Sequence, residues 1–467
     1  MEDERKGRPE QTYEQIVGPD ETGVPDFLAH AATPDVGTDP IDVERYWSPS
    51  FREKERQHLW TRTWQLACLV DDIPEAGDCF LYEIGERSLI IANTHEGIRA
   101  FYNSCLHRGR RLITGSCTKT KFVCPFHAIA WSLEGKLVHN PLAWDLPQWD
   151  ETNANLPQAR VAVWACFVFI NMDDAATDFE TVAAPLIEHL APFGWNERYR
   201  AWWYEKRVRG NWKTVQESFM ESHHSNTVHP QLLPSIADIN SQYDFLNAYV
   251  SRHISAAATS SPSLQPTPNE HQKLRLMRDR GDRRVDELDL ASLPERFRAR
   301  TFLGQRMRET YARDHNTDMS HASDAEVLDY LLYTVFPNTA IWAGYGPKLV
   351  YRWRPTPGDP EQSIMDIMWM EPVPEGQPKP PPSPKTVVDF DEDMQSQAFG
   401  SSSLRLILDQ DFANIPEVQR GMKSAKSGHV HFGHYTEARL RYYQRLVDRF
   451  IDTGERGAPT PDVELPV

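Results

Sequence analysis

Two short Cys–His pairs constrain this chain more than any other feature of its sequence. Residues 103–131 read NSCLHRGRRLITGSCTKTKFVCPFHAIAW, so Cys105 and His107 form one pair and Cys124 and His127 the other, with sixteen residues between them. Each loop can give one thiolate and one imidazole. A [2Fe–2S] cluster with mixed ligands needs that set, two Cys on one iron and two His on the other, and it bridges two loop tips. Neutral imidazoles raise its potential and stay open for electron transfer. Structural zinc uses the same residue types but groups the two Cys and the two His, whereas here they alternate. The remaining cysteines, Cys68, Cys79, Cys117 and Cys166, are too scattered for a disulfide scaffold, and Cys117 reads as a free thiol.

A second constellation lies in NWKTVQESFMESHHSNTVHP, residues 211–230. The pattern predicts a helix over Trp212–Thr227. In it Glu221 and His224, three apart, share a face, and His223 points nearly the opposite way. His229 comes within reach if the helix ends near Thr227. Two His and a carboxylate on one side of a metal form the facial triad of non-haem Fe(II) oxygenases, which leaves positions for O2. By itself a His pair of this spacing more often marks a surface. A redox cluster in the same chain reverses that balance.

The 467 residues have room for two or three domains. Fifty basic against sixty-seven acidic side chains, a net charge of −17, argue against a nucleic-acid binder. The longest apolar run, Val161–Ile170, is far short of the roughly 20 residues that span a bilayer. The polar start MEDERKGRPEQ has no signal core, so the expectation is a cytoplasmic enzyme. Short β-like runs at Cys79–Ile84, Ser88–Ala92, Ile98–Tyr102 and Val161–Ile170 predict a small antiparallel domain after a helix across Arg52–Trp60. Further strands are expected at Trp202–Val208, Leu349–Trp353 and Ser363–Met370, and a closing helix at Tyr435–Ile451. Gln377–Lys385 reads as a Pro-rich loop. Lys273–Arg313 reads as a helical surface excursion, and its stretch RDRGDRR as a solvated face.

Together these pieces resemble the large (alpha) subunit of the Rieske non-haem iron oxygenases, the ring-hydroxylating dioxygenase family. The resemblance rests on Phe101-Tyr102-Asn103-x-Cys105-x-His107-Arg108-Gly109, Cys124-Pro125-x-His127 and Asn211-Trp212-Lys213. It continues in Glu217-x-Phe219-Met220-Glu221-x-x-His224-x4-His229-Pro230, Phe336-Pro337-Asn338 and Asp411-x7-Gln419-Arg420-Gly421, covering roughly Asp42 to Ile451. It implies a Rieske [2Fe–2S] cluster on Cys105, His107, Cys124 and His127, and a mononuclear Fe(II) on His224, His229 and Asp411. Glu221 holds the place of the carboxylate that, in the family, links an iron-ligating His to a cluster His of the neighbouring protomer. The alternatives are Glu221 as a direct ligand and Asp409 in place of Asp411; the eight-residue step to Gln419 favours Asp411.

The implied fold is α+β: an acidic arm (1–41), a small antiparallel Rieske domain with a leading helix (42–174), a catalytic domain whose curved antiparallel sheet grips a helix (175–453), and a tail (454–467). The implied activity is terminal oxygenation. Electrons from NAD(P)H arrive through a ferredoxin or flavin reductase, and O2 is used to hydroxylate or cis-dihydroxylate a hydrophobic, aromatic or polycyclic substrate. Oxidative N- or O-demethylation is the alternative. Phe219, Met220, Phe336, Trp342 and Phe412 are candidate pocket residues. The assembly implied is a head-to-tail homotrimer, or an α3β3 complex with a small beta subunit. Ser218, His223 and Ala128-Ile129-Ala130-Trp131 depart from the family's usual residues, and His429-x-His431-x2-His434 resembles a metal tract by composition only. A zinc-stapled scaffold and a lone electron-transfer Rieske protein are the rival classes.

Overall fold

Runs of alternating apolar residues build two antiparallel sheets in the computed structural model, which describes residues 11–30, 35–150 and 152–452. The first sheet has the order Gln65–Leu69, Phe167–Asn171, Gln158–Trp164, Gly97–Tyr102, Arg87–Thr94, Asp78–Ile84, Cys117–Thr118. The single strand expected at Val161–Ile170 is instead a hairpin: Trp164 pairs with Phe167, and Ala165 turns the chain with φ +52°. A ten-residue run that is apolar throughout carries no polar punctuation to reveal the turn. A three-stranded sheet, Lys121–Val123, Ala130–Ser132 and Leu137–His139, shares a small core with it through Phe101, Phe122 and Trp131.

The second sheet has the order Gln242–Phe245, Val250–Ser255, Tyr330–Val335, Thr339–Ala343, Lys348–Pro355, Ser363–Pro372, Arg198–Val208, Lys385–Val388. All neighbours are antiparallel except the last pair. The prolines of the Gln377–Lys385 stretch precede that edge strand, where no ladder donor is needed. One face meets the first sheet through paired charges. Arg352 Nε lies 2.8 Å from Asp366 Oδ2, and its Nη1 reaches the carbonyls of Leu66 (2.8 Å) and Ala67 (2.7 Å). Arg200 Nη2 reaches Asp72 Oδ1 at 2.6 Å. The other face packs on the helices.

The helix expected over Trp212–Thr227 stops at Glu217 and resumes only as a 3-10 turn, His223–Asn226. Local side chains capture the backbone and its neighbours there. Glu221 accepts the amides of His223 and His224, Ser222 Oγ donates to the Asp238 carbonyl (2.7 Å), and Arg439 Nη1 donates to the Met220 carbonyl (3.1 Å). Such bonds compete with the helix. The shared face of Glu221 and His224 therefore arises from a cap, not from helical periodicity.

The excursion holds helices Glu270–Asp279 and Ala299–His315 around a core of its own that includes Leu274, Met277, Val285 and Leu303. Part of its basic stretch is not a solvated face. Asp282 is gripped by Arg280 (2.6 Å) and Arg284 (2.7 Å), all three side chains largely buried, and Arg284 Nη2 also donates to Tyr330 Oη at 2.6 Å. Of the acidic arm, residues 11–30 wrap this region: Tyr13 Oη donates to Asp329 Oδ2 (2.7 Å), and Arg300 joins Asp20 and Asp329. The proposed tail, 454–467, lies outside the described residues.

The Asn211-Trp212-Lys213 piece acts as a clamp. Asn211 caps the helix Trp212–Glu217, and Lys213 Nζ lies 2.5 Å from Glu55 Oε1 with side-chain exposures of 0% and 2%. Gln419 Oε1 accepts from the Asn211 amide (3.0 Å) and Thr214 Oγ1 (3.1 Å), while its Nε2 donates to the Tyr46 carbonyl (3.0 Å). Trp60 packs on Trp212, ring centres 4.6 Å apart. These contacts align the helix Ser402–Lys423 with the segment that follows Glu217.

Glu217 accepts from Tyr46 Oη (2.9 Å) and Gln444, yet burial pushes its carboxyl up to about 7. With a value of 4.5 in the unfolded chain, the folded state binds the extra proton between these limits. The stability from that proton is present below pH 4.5 and is lost as pH rises through about 7, by up to about 1.4 kcal/mol per pH unit. Glu217→Gln should remove this slope. The Tm of the parent should fall relative to the variant between about pH 5 and pH 8, and parallel curves would contradict the assignment.

Candidate metal centres

The two Cys–His loops fold alike. In the first, the Cys105 amide donates to the Arg110 carbonyl (2.9 Å) and the Gly109 amide to the Cys105 carbonyl (2.9 Å); in the second, Cys124 donates to Ile129 (2.8 Å) and Ala128 to Cys124 (3.0 Å). Each turn closes on a left-handed residue, Gly109 at φ +73° and Ala128 at φ +60°. Asn103 holds the first loop down, its Oδ1 accepting the amides of Leu112 (2.8 Å) and Ile113 (3.0 Å). Both thiols are buried, and both imidazoles sit at the tip with their Nδ1 atoms 3.2 Å apart. Burial raises the Cys105 thiol and the adjacent Cys124 raises it further; burial, His107 and Arg108 lower the His127 imidazole. Cys117 lies elsewhere, cross-strand from Cys79.

Zinc at about 2.0–2.3 Å from four tetrahedral ligands keeps all donors within about 4 Å of one another. Among the described residues, the one set of three His, Cys, Asp or Glu donors within 4.8 Å is His224, His229 and Asp411. The Cys–His quartet is thus wider than a single-ion shell. A pair of thiols beside a pair of imidazoles suits the two irons of a cluster.

The second centre joins three separate elements. His224 sits on the 3-10 turn His223–Asn226, His229 just ahead of the turn Pro230–Leu232, and Asp411 on the helix Ser402–Lys423. Asp411 Oδ1 lies 2.9 Å from His229 Nε2 and 3.6 Å from His224 Nε2, and Asp411 is 5% exposed. Each outer nitrogen is engaged: His224 Nδ1 with Glu221, His229 Nδ1 with Gln410 Oε1 at 2.9 Å. With Nδ1–H facing an acceptor, the His229 Nε2 lone pair faces a carboxylate oxygen. Two acceptors in contact call for a cation between them, so the donor chemistry fits a divalent metal. Burial lowers the His224 imidazole, but Glu221 and Asp411 more than offset it and the group is raised. Glu221 stands behind His224. Asp409 is engaged elsewhere, accepting the amides of Met394 (2.7 Å) and Gln395 (2.9 Å).

The apolar candidates divide. Phe219 lies 5.4 Å from Tyr351 and 6.0 Å from Trp353, and Trp342 lies 6.5 Å from Tyr351, whose phenol senses the charge of Asp411. Phe412 takes the Lys206 ammonium over its ring at 5.8 Å. Phe336 instead packs on the closing helix Ala438–Asp452 through Tyr443 (5.5 Å) and Phe450 (5.4 Å), and Met220 joins the same region. Sequence reasoning missed Tyr351, Trp353 and Gln410. The period-two spacing of Tyr351 and Trp353 on their strand was the available signal for the first two. Ser218 donates to the Thr214 carbonyl (3.1 Å), and His223 is exposed. His429 pairs with Asp42 and His434 with Asp35, apart from the metal donors.

The two antiparallel sheets, the Cys–His quartet and the His224–His229–Asp411 set are matched by two known sequence families. The sequence pattern described as "Ring hydroxylating alpha subunit (catalytic domain)" matches residues 194–453, more than half of the chain, and that of the "Rieske [2Fe-2S] domain" matches residues 63–150. The chain belongs to the ring-hydroxylating alpha-subunit family. It is 30% identical to the carnitine monooxygenase oxygenase subunit of Escherichia coli (strain K12) over 202 residues, 42% of this chain and 54% of that one. It is 26% identical to the glycine betaine monooxygenase oxygenase subunit of Pseudomonas aeruginosa over 221 residues, 47% and 51% of the two. The match thus spans about half the length of these curated relatives. The fold is that of a quaternary ammonium Rieske monooxygenase in complex with L-carnitine (TM-score 0.60, 18% identity, 91% of this chain and 99% of that one). It is also that of naphthalene 1,2-dioxygenase from Rhodococcus sp. bound to indole (TM-score 0.61, 18% identity, 89% and 95%).

The left-handed Ala128 carries strain that Gly109 avoids, on the order of 1 kcal/mol. Ala128→Gly should raise the Tm of the isolated protein with its visible spectrum unchanged. Gly109→Ala, whose added Cβ meets only Ser104 Oγ at 3.8 Å, should lower it through the backbone alone. Equal Tm values for Ala128→Gly and the parent would remove the strain argument.

Proposed function

We propose that this chain is a terminal oxygenase component, taking electrons from a ferredoxin or flavin reductase, ultimately from NAD(P)H, and using O2 to oxidise a small organic substrate in the cytoplasm. The carrying observation is the convergence of His224 with the buried His229 and Asp411 in a member of this family. In this reading Cys105, His107, Cys124 and His127 hold the [2Fe–2S] cluster, and His224, His229 and Asp411 hold Fe(II). When bound, the cluster supplies single electrons and the iron supplies O2 activation.

The chain's own residues orient and exclude. Glu221 keeps a proton on His224 Nδ1 and so presents Nε2 inward. Three donors gathered on one side leave the other side for O2 and substrate. Phe219, Trp342, Tyr351 and Trp353 form an aromatic wall whose Tyr351 phenol senses the charge of Asp411.

An aromatic wall suits two substrate classes. A flat hydrophobic ring stacks on it and leads to hydroxylation or cis-dihydroxylation. A quaternary ammonium is held by cation–π attraction and leads to monooxygenation or oxidative demethylation. Similarity to the carnitine and glycine betaine monooxygenase oxygenase subunits favours the second class. Turnover under 18O2 with a surrogate reductase decides: two labelled atoms in one product mean dihydroxylation, and one means monooxygenation or demethylation. Reductase-driven turnover with neither class, in metal-replete protein, would sink both.

Asp411→Ala should remove the mononuclear metal and at least about 99% of activity, a loss near 3 kcal/mol in barrier terms, while the visible cluster spectrum persists. Full iron content and turnover in this variant would show the third ligand to be another residue.

The chain is further proposed to act as a ring of three copies, alone or with a small beta subunit, each cluster facing the neighbour's Glu221. Support comes from apolar exposure in the cluster domain. Phe126, its ring 4.0 Å from that of His127, is 54% exposed, and Val138 and Trp144 are 56% and 80% exposed. Cys105→Ala and His224→Ala subunits should each be inactive, and mixed oligomers isolated by two tags should recover part of the activity. Mixed oligomers no better than either parent would rule out the crossing between subunits.

A further inference from the structure

We propose that Gln410, steadied by Gln231, is a positioning residue that fixes the ring and tautomer of His229 for metal binding. The inference rests on the reading of His229 as an iron ligand. Consecutive residues of one helix grip this imidazole at both nitrogens: Asp411 Oδ1 lies 2.9 Å from Nε2, and Gln410 Oε1 lies 2.9 Å from Nδ1. Gln231 Nε2 donates to the same Gln410 oxygen at 2.7 Å. In this arrangement Oε1 accepts from two directions, so Nδ1 must carry its hydrogen and Nε2 presents a lone pair toward Asp411. Gln231 lies on the turn Pro230–Leu232, directly after His229, and the clamp therefore closes a small ring of side chains across two elements far apart in sequence.

The two histidines differ in their outer partners. His224 Nδ1 meets the carboxylate of Glu221, whereas His229 Nδ1 meets an uncharged amide oxygen. An anionic partner makes an imidazole a stronger donor than a neutral one does. One ligand is thus tied to a charged group and the other to a neutral one. Gln410 falls outside the motif residues because nothing about a Gln beside an Asp on an amphipathic helix marks it in sequence.

The test uses the full chain with its cluster kept oxidised, its mononuclear metal removed and Co(II) as the probe. Affinity is read by chelator competition, and ligand geometry by the EPR of high-spin Co(II). Gln410→Leu should weaken Co(II) binding by about 10–100-fold and alter the Co(II) signal, with the cluster spectrum unchanged. Gln410→Glu, which keeps an acceptor and adds a charge, should bind Co(II) at least as tightly as the parent. Gln231→Leu should give a smaller loss in the same direction.

Parent-like affinity and signal in Gln410→Leu would overturn the inference. Should that variant fail to fold, Gln231→Leu decides, and parent-like values there overturn it equally. His229→Ala separates the two levels. Undiminished Co(II) binding in His229→Ala would refute His229 as a ligand. A loss there with none in Gln410→Leu would refute the clamp alone.

Discussion

A carboxylate buried against two imidazoles is the constraint on which the second half of this molecule turns. Asp411 has almost no contact with water, and its neighbours His224 and His229 come from a segment nearly two hundred residues earlier. Desolvating such a group is costly unless a cation or donors compensate it. Bringing the three together requires the helix Ser402–Lys423 to lie in register against the chain that follows Glu217. Gln419, two turns beyond Asp411, secures that register by bonding Asn211, Thr214 and the Tyr46 carbonyl at once. The Lys213–Glu55 pair then ties the same short helix to the segment preceding the first sheet.

The two sheets meet through charge rather than through a purely apolar seam. Arg352 and Arg354 share Asp366, Arg354 also pairs with Glu205, and Arg200 pairs with Asp72. Buried ion pairs of this kind add little net stability against an apolar packing of equal volume. Slipping one sheet on the other would part Arg200 from Asp72 and Arg352 from the Leu66 and Ala67 carbonyls, leaving charge unpaired in the interior at several kcal/mol. The seam thus selects one relative placement of the sheet beside the Cys–His loops and the sheet that carries Tyr351 and Trp353.

The two candidate centres use opposite settings. The Cys–His quartet presents its imidazoles at an exposed tip flanked by Phe126, which suits exchange of electrons with another molecule. In the His224–His229–Asp411 set, His229 and Asp411 are buried and His224 is partly so. Glu221 meets His224 at Nδ1, the nitrogen turned away from Asp411.

The candidate donors stood out in the sequence because metal chemistry restricts residue type and local spacing. Cys105 with His107, Cys124 with His127, and His224 with His229 each lie within five residues, and a chain that short has few ways to separate them. Strands such as Cys79–Ile84 and Ser363–Met370 were legible for a similar reason, since alternation is a property of neighbours. What depended on distant partners was not. The helix over Trp212–Thr227 reads well locally and is broken by Asp238, Arg439 and the cap from Glu221. The basic stretch around Arg280 reads as solvated until Asp282 and Tyr330 enclose it. Gln410 and Tyr351 acquire their positions only when a helix and a strand from separate parts of the chain close around His229 and Asp411. Local covalent spacing marked the candidate His and Cys donors, and long-range packing brought Asp411 and the surroundings to them, because a side chain's neighbours in space are decided by the whole fold.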